Sequence, residues 1–187
     1  MMELCVRNLS KSYDGRAVLE NVSVIAPVGL TRVSGSSGIG QTTLLRILLG
    51  LERADSGTAA PKDLRWAAVF QEDRLLEHLD AAGNLRFAIG AAYDGKKAAA
   101  LLEALGLGAV GSKRVRDFSG GMKRRLALAR ALLAPCDALA LDEPFTGLDA
   151  GNRDIALSCI LRAAEKKIVL LAAHEALDLP DARTVQM

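Results

Sequence analysis

Residues 30–49 read LTRVSGSSGIGQTTLLRILL, and the order of their parts decides how the rest of the chain is read. Leu30–Val33 is a short β-like run. It ends in the turn Gly35-Ser36-Ser37-Gly38-Ile39-Gly40, and after Gln41 a helix-like run, Thr42–Leu49, follows and is closed by Gly50. The pattern G-x-x-x-x-G-K-[ST] is matched at every place but one, with Gln41-Thr42-Thr43 where the pattern opens on lysine. Glycines let such a turn fold tightly, so that successive backbone N–H groups converge on one anion. A helix starting near Gln41 adds the positive end of its dipole, and Thr42 offers a hydroxyl oxygen to Mg2+. A Gly/Ser-rich turn alone is often only a turn. The strand before this one and the helix after it favour a phosphate-binding loop.

Outward from this unit, the N-terminal part alternates short β-like runs with turn residues: Glu3–Val6, then Val18–Val24 beyond the Asp14-Gly15 turn. Trp66–Phe70 is another apolar strand. From about Leu79 to Ala134 the chain becomes helical, with Lys97–Leu105 stopping at Gly106. Met122, Leu126, Ala129 and Leu133 recur at helical spacing before Pro135 ends the run. Strand-like runs return at Ala138–Leu141 and Ile168–Ala173, with a helix at about 151–166 between them, and Thr184–Met187 reads as a last short strand. Strands alternating with helix-length connections predict an α/β fold with a mainly parallel sheet. In such sheets ligands sit at the carboxyl ends of the strands.

Two of those strand ends carry acids or amides. Asp142-Glu143-Pro144 follows Ala138–Leu141, so Asp142 is placed to hold Mg2+, directly or through water, and Glu143 to polarise an attacking water as general base. An Asp-Glu pair is also common on plain surfaces. The discriminating piece is Ser119-Gly120-Gly121-Met122, which leads into a helix: Ser119 can cap it while the glycines expose its N–H groups, a second anion site in one chain.

With that piece the resemblance becomes specific. Phe118-Ser119-Gly120-Gly121-Met122-Lys123-Arg124-Arg125 resembles the ABC signature, usually written L-S-G-G-Q, with Phe118 and Met122 as departures. The resemblance implies a P-loop NTPase, the ABC cassette, over the whole chain 1–187. Its mainly parallel core would comprise 1–78 and 135–187 with N-terminal antiparallel strands, and 79–134 would form a helical subdomain. It implies that two cassettes face head to tail, with each ATP between one chain's phosphate loop and the other's signature. Tyr13 resembles the aromatic that stacks on adenine. Gln71, directly after a strand, resembles the glutamine that senses Mg2+ and the γ-phosphate, and Thr146-Gly147-Leu148-Asp149 resembles the loop that crosses the dimer interface. His174 resembles the switch histidine on the γ-phosphate, whereas His78 has no such support. The implied cofactors are ATP and Mg2+. The implied partners are a second cassette, an integral membrane permease and a substrate-binding protein, with the chain held at the inner face of the cell membrane through the permease. Gln71-Glu72-Asp73-Arg74-Leu75-Leu76 resembles a segment common in nitrate, sulfonate and taurine importer subunits, a hint about cargo, and import is expected because importers commonly keep cassette and membrane parts on separate chains.

Composition agrees with this and excludes other classes. The chain has 187 residues, half of them hydrophobic, which suits one α/β domain. Lys plus Arg is 24 and Asp plus Glu is 22, a net charge of +2, so nucleic acid is not expected as the main partner. The local clusters Lys113, Arg114, Arg116 and Lys123, Arg124, Arg125 read mostly as a solvated helix face. Cys5, Cys136 and Cys159 have no metal-ligand spacing and read as buried free thiols of a reducing cytosol. The N-terminus shows no secretory h-region, and no window approaches 18 apolar residues, so no span is expected.

Gln41 is the departure with a chemical consequence. Glutamine can donate a hydrogen bond but brings no positive charge to the β- and γ-phosphates, so weakened binding and slow turnover are expected. Two functions remain open at this point: a transport ATPase held back by one residue, or a dimerisation module in which ATP acts as glue.

Overall fold

The computed structural model describes residues 2–35, 40–173 and 182–187. In chain order its strands are β1 Glu3–Tyr13, β2 Arg16–Pro27, β3 Gly29–Ser34, β4 Ser56–Ala60, β5 Trp66–Val69, β6 Ala138–Asp142, β7 Ile168–Ala172 and β8 Arg183–Gln186. Its α-helices are α1 Gln41–Leu48, α2 Ala81–Ile89, α3 Gly95–Ala104, α4 Gly120–Leu133 and α5 Ala150–Ala164. The three that lie between β5 and β6, α2 to α4, occupy the stretch that reads as helical in the sequence.

Two sheets form. Strands β5-β6-β7-β3-β8 make a sheet parallel at every pairing, and β2-β1-β4 make an antiparallel one. The hairpin strands β1 and β2 run well past the short apolar runs of the sequence, because backbone pairing continues through the polar positions of Ser10–Tyr13. Strand β4 was not expected. Its residues SGTAA have little side-chain preference for a strand, and its pairing comes from β1, which it meets at Cys5–Arg7 and Ser10.

The parallel strands sort their side chains with a period of two. Leu139 and Leu141 of β6 and Val169 and Leu171 of β7 join one core, with α2 to α5 laid over it. Ala138 and Ala140 of β6, and Ile168, Leu170 and Ala172 of β7, join another, covered by α1 and by the β1–β2 hairpin. Both faces are therefore dry, which is why β6 and β7 are apolar at nearly every position. Helix starts are capped by short polar side chains: Asp80 accepts from the Gly83 N–H at 2.7 Å and Asp94 from the Lys96 N–H at 2.9 Å. Each such cap contributes about 1 kcal/mol.

Two expectations from composition need correction. Cys136 is buried, but Cys5 and Cys159 are only half-buried, since each lies on an element with one face open to solvent. Lys113, Arg114 and Arg116 are solvated as expected, yet Arg124 and Arg125 are 3% and 9% exposed. Helix α4 is buried on almost every side, from Arg124 through Ala129 and again at Ala131, so charge within it faces protein. No helix among the described residues is long and apolar enough to cross a membrane.

Candidate functional site

The site is assembled at the carboxyl edge of the parallel sheet. Strand β3 delivers Gly35, and the chain re-enters the described residues at Gly40, the N-cap of α1. Ser36, Ser37, Gly38, Ile39 and, at the end of β7, His174 lie outside the described residues. Gly40 has φ +98°, and a Cβ there would stand 2.6 Å from Leu19 Cδ2 and 2.7 Å from the Val18 carbonyl. Backbone conformation and the approach of β2 therefore both require glycine where the loop enters the helix.

Gln41 is 7% exposed, and its Nε2 donates to the Val33 carbonyl at 3.0 Å. The side chain is spent on the end of β3. Its neighbour Thr42 donates from Oγ1 to Asp142 Oδ2 at 2.8 Å, and Thr43 is half-buried on the same turn. Asp142 closes β6 and is itself 4% exposed. Strand β6 lies between β5 and β7. A hydroxyl and a carboxylate from elements 100 residues apart thus meet at one point.

Thr42, Gln71 and Asp142 line one cleft of about 330 Å³, together with Arg46, Leu51, Phe70, Glu72 and Arg74. Gln71 is exposed in it, two residues after the end of β5. Glu143 follows Asp142 with φ +50°, a conformation rare for a residue with a side chain. Its N–H donates to the Ala172 carbonyl at 2.9 Å, which fixes it beside the end of β7.

Ser119, Gly120, Gly121 and Met122 do not line this cleft. Ser119 N-caps α4 by accepting from the Met122 N–H at 3.3 Å, and Ser119 and Gly120 are exposed. A Cβ on Gly121 would lie 3.3 Å from the Gly147 carbonyl and 3.5 Å from Leu148 Cδ2, so the turn 146–149 packs directly on this helix start. That turn ends at Asp149, which N-caps α5 through the Asn152 N–H at 2.9 Å; this bond holds its carboxyl below the usual range. Tyr13 ends β1 and is 40% exposed, with the Lys11 ammonium 5.1 Å from its ring centre. No described contact joins it to Thr42 or Asp142. His78 is exposed.

What sequence reasoning missed is Arg124. Its guanidinium donates to the carbonyls of Phe70, Gln71, Asp142 and Glu143 and to the Asp73 carboxylate. The signal was available: Leu126–Ala129 puts apolar side chains on every side of α4, and a helix apolar all round is buried.

Among the described residues no three His, Cys, Asp or Glu side chains gather as a metal cage. The hard oxygens of Thr42 and Asp142 do suit Mg2+, which commonly takes one or two protein oxygens and completes its shell with water and phosphate.

Comparison with known proteins agrees with this geometry. The sequence model of the family described as ABC transporter matches residues 19–146. The chain is 36% identical over 177 residues to "Aliphatic sulfonates import ATP-binding protein SsuB 1" of Pseudomonas savastanoi pv. phaseolicola, an alignment covering 91% of this chain and 75% of the relative. A similarly named protein of Nocardia farcinica is 38% identical over 174 residues, covering 91% of this chain and 70% of its own length. Among solved structures, a chain from Pyrococcus furiosus named for the ATP-binding protein of an ABC transporter superimposes with a TM-score of 0.88. That superposition covers 99% of this chain and 97% of the other at 23% identity, and it shows the shared fold. The chain belongs to the ABC transporter family, as one of its ATP-binding ATPases.

Proposed function

We propose that this chain is the ATP-binding subunit of an importer, turning ATP over slowly because glutamine stands at the lysine place of the phosphate loop. The observation that carries this reading is the Thr42–Asp142 contact beside Gln71, in one cleft at the sheet edge, with Gln41 turned away to Val33. The loop 35–43 cradles the phosphates with backbone N–H groups, and Tyr13 stacks on the adenine. Thr42 and Asp142, with Gln71 nearby, would hold Mg2+, which would neutralise phosphate charge. Glu143 orients and deprotonates the attacking water, and His174 contacts the γ-phosphate. Ser119, Gly120, Gly121 and Met122 of a second copy close the same nucleotide from the other side. The division of the chain into a core, 1–78 and 135–187, and a helical part, 79–134, belongs to the same reading.

The partners follow from the family: a second copy of this cassette, a membrane permease and a substrate-binding protein. The chain itself then sits at the inner face of the membrane. The names of the relatives direct the cargo toward aliphatic sulfonates.

Gln41 also favours a second reading, in which ATP closes two copies together and is not consumed. Purified protein with Mg-ATP separates the two when nucleotide binding, dimer formation and phosphate release are followed together, with and without the co-purified permease. Binding and dimerisation with slow release support the transport ATPase. Dimerisation without release, even with the permease present, establishes the clamp. Absence of nucleotide binding overturns both.

A further inference from the structure

Three segments that are distant in sequence meet on one side chain. Arg124, 3% exposed in the first turns of α4, sends Nη1 to the carbonyls of Phe70 and Gln71, at 3.3 Å for the latter, and to Asp73 Oδ1 at 3.0 Å. From Nη2 it donates to the carbonyls of Asp142, at 3.3 Å, and Glu143. On the ATPase reading of this edge, we infer that Arg124 is a positioning residue that holds the Gln71 segment and the Glu143 backbone in register with α4, so that hydrolysis depends on it.

The chemistry is suited to a guanidinium. Its planar fork spreads its donors over two directions at once, whereas an ammonium is a point charge on a flexible stem. One arm here serves the exit of β5 and the other the exit of β6. Glu143 makes the demand plain. Its φ of +50° is a strained conformation for a residue with a side chain and persists only where the surroundings fix it. Its N–H is held by the Ala172 carbonyl at 2.9 Å, and its own carbonyl by Arg124. The residue read as the general base is thus clamped between β7 and α4.

Arg130, further along α4, extends the same grip by donating to the carbonyls of Asp73 at 2.9 Å and Arg74 at 2.7 Å. Together the two arginines take most of the backbone oxygens of 70–74. Helix α4 begins at Ser119–Met122, so movement at that end is carried to Gln71 and Glu143 through Arg124. Arg125, its neighbour, is buried for another purpose. It donates to the carbonyls of Leu105 at 2.8 Å and Gly106 at 3.2 Å, closing the end of α3.

That contrast supplies the control. Hydrogen–deuterium exchange on the full chain, read for peptides covering 70–74 and 142–146, would compare wild type with R124M, R124K and R125M. The expected result is at least tenfold faster exchange in both peptides for R124M, a partial return in R124K, and wild-type rates there for R125M. Because exchange is read without turnover, failure of the ATPase reading leaves this test intact. In the Q41K background, kcat of R124M is expected to fall at least tenfold while KM for ATP changes less than threefold. Exchange in R124M no faster than in R125M overturns the inference, and so does an unchanged kcat in an active background.

Discussion

The side-chain amide of Gln41 and the backbone carbonyl of Val33 are joined by a 3.0 Å hydrogen bond, so the residue at the lysine place of the loop points back along β3. A lysine there carries its charge further out on a longer stem. Charge-assisted hydrogen bonds are worth about 1.5–3 kcal/mol, equivalent to roughly one to two orders of magnitude in rate. Q41K is therefore expected to raise phosphate release tenfold to a hundredfold under saturating Mg-ATP. A gain below threefold in steady-state release would show that the missing charge does not limit turnover.

Asp142 receives the Thr42 hydroxyl at 2.8 Å and is nearly inaccessible to solvent. Asp142→Asn keeps the shape and removes the charge that a divalent cation needs. Nucleotide affinity measured with Mg2+ is expected to fall at least tenfold, while affinity in EDTA stays within threefold of wild type. Equal losses in both conditions would assign Asp142 a purely structural part.

Gly40→Ala and Gly15→Ala test the loop geometry by comparison. Both glycines have positive φ, +98° and +77°, but only at Gly40 does an added Cβ meet other atoms, 2.6 Å from Leu19 Cδ2. Gly15→Ala should cost about 1 kcal/mol, the ordinary expense of a left-handed alanine. Gly40→Ala adds overpacking of about 1–3 kcal/mol. Thermal melts of the two variants check this: Tm should fall several degrees further for Gly40→Ala, and equal shifts would contradict the packing described.

Asp137 supplies a pH dependence. Arg65 grips its carboxylate from Nε at 2.9 Å and Nη2 at 2.8 Å, and from its own backbone N–H, holding the carboxyl at about 2 against an ordinary 3.8. A depressed folded-state value means that the stabilisation is complete above the unfolded value and disappears as pH falls through the folded one. The stability difference between wild type and Asp137→Asn should thus be flat above about pH 4 and shrink toward pH 2. Urea midpoints across that range read it directly. A difference that grows on acidification would contradict the pairing.

The sequence was informative where local chemistry and fold make the same demand. Strands β6 and β7 are dry on both faces, so they are written as unbroken apolar runs and their ends can be located to within a residue. Asp142 closes β6 and Glu143 follows it, so this pair could be placed at the sheet edge for that reason, and Gln71 falls within two residues of the end of β5. Strand β4 was illegible because its pairing partner, not its own side chains, makes it a strand. Arg124 and Arg125 look like surface charge when read alone; the all-round apolar run Leu126–Ala129 beside them is the sign that α4 is buried and turns them inward. The direction of the Gln41 side chain was equally hidden, since its acceptor, the Val33 carbonyl, belongs to β3 and is brought near the start of α1 only by the fold.

The order β5-β6-β7-β3-β8 has a consequence for synthesis. Strand β3, which leads into the phosphate loop, has β7 and β8 as its two sheet neighbours, and they begin at Ile168 and Arg183. On a ribosome, β3 finds no sheet partner until well over a hundred further residues have followed. Such long-range closure slows folding and leaves β3 without its sheet partners in the nascent chain. The strand that leads to the candidate site is thus made well before either of the strands that flank it in the sheet.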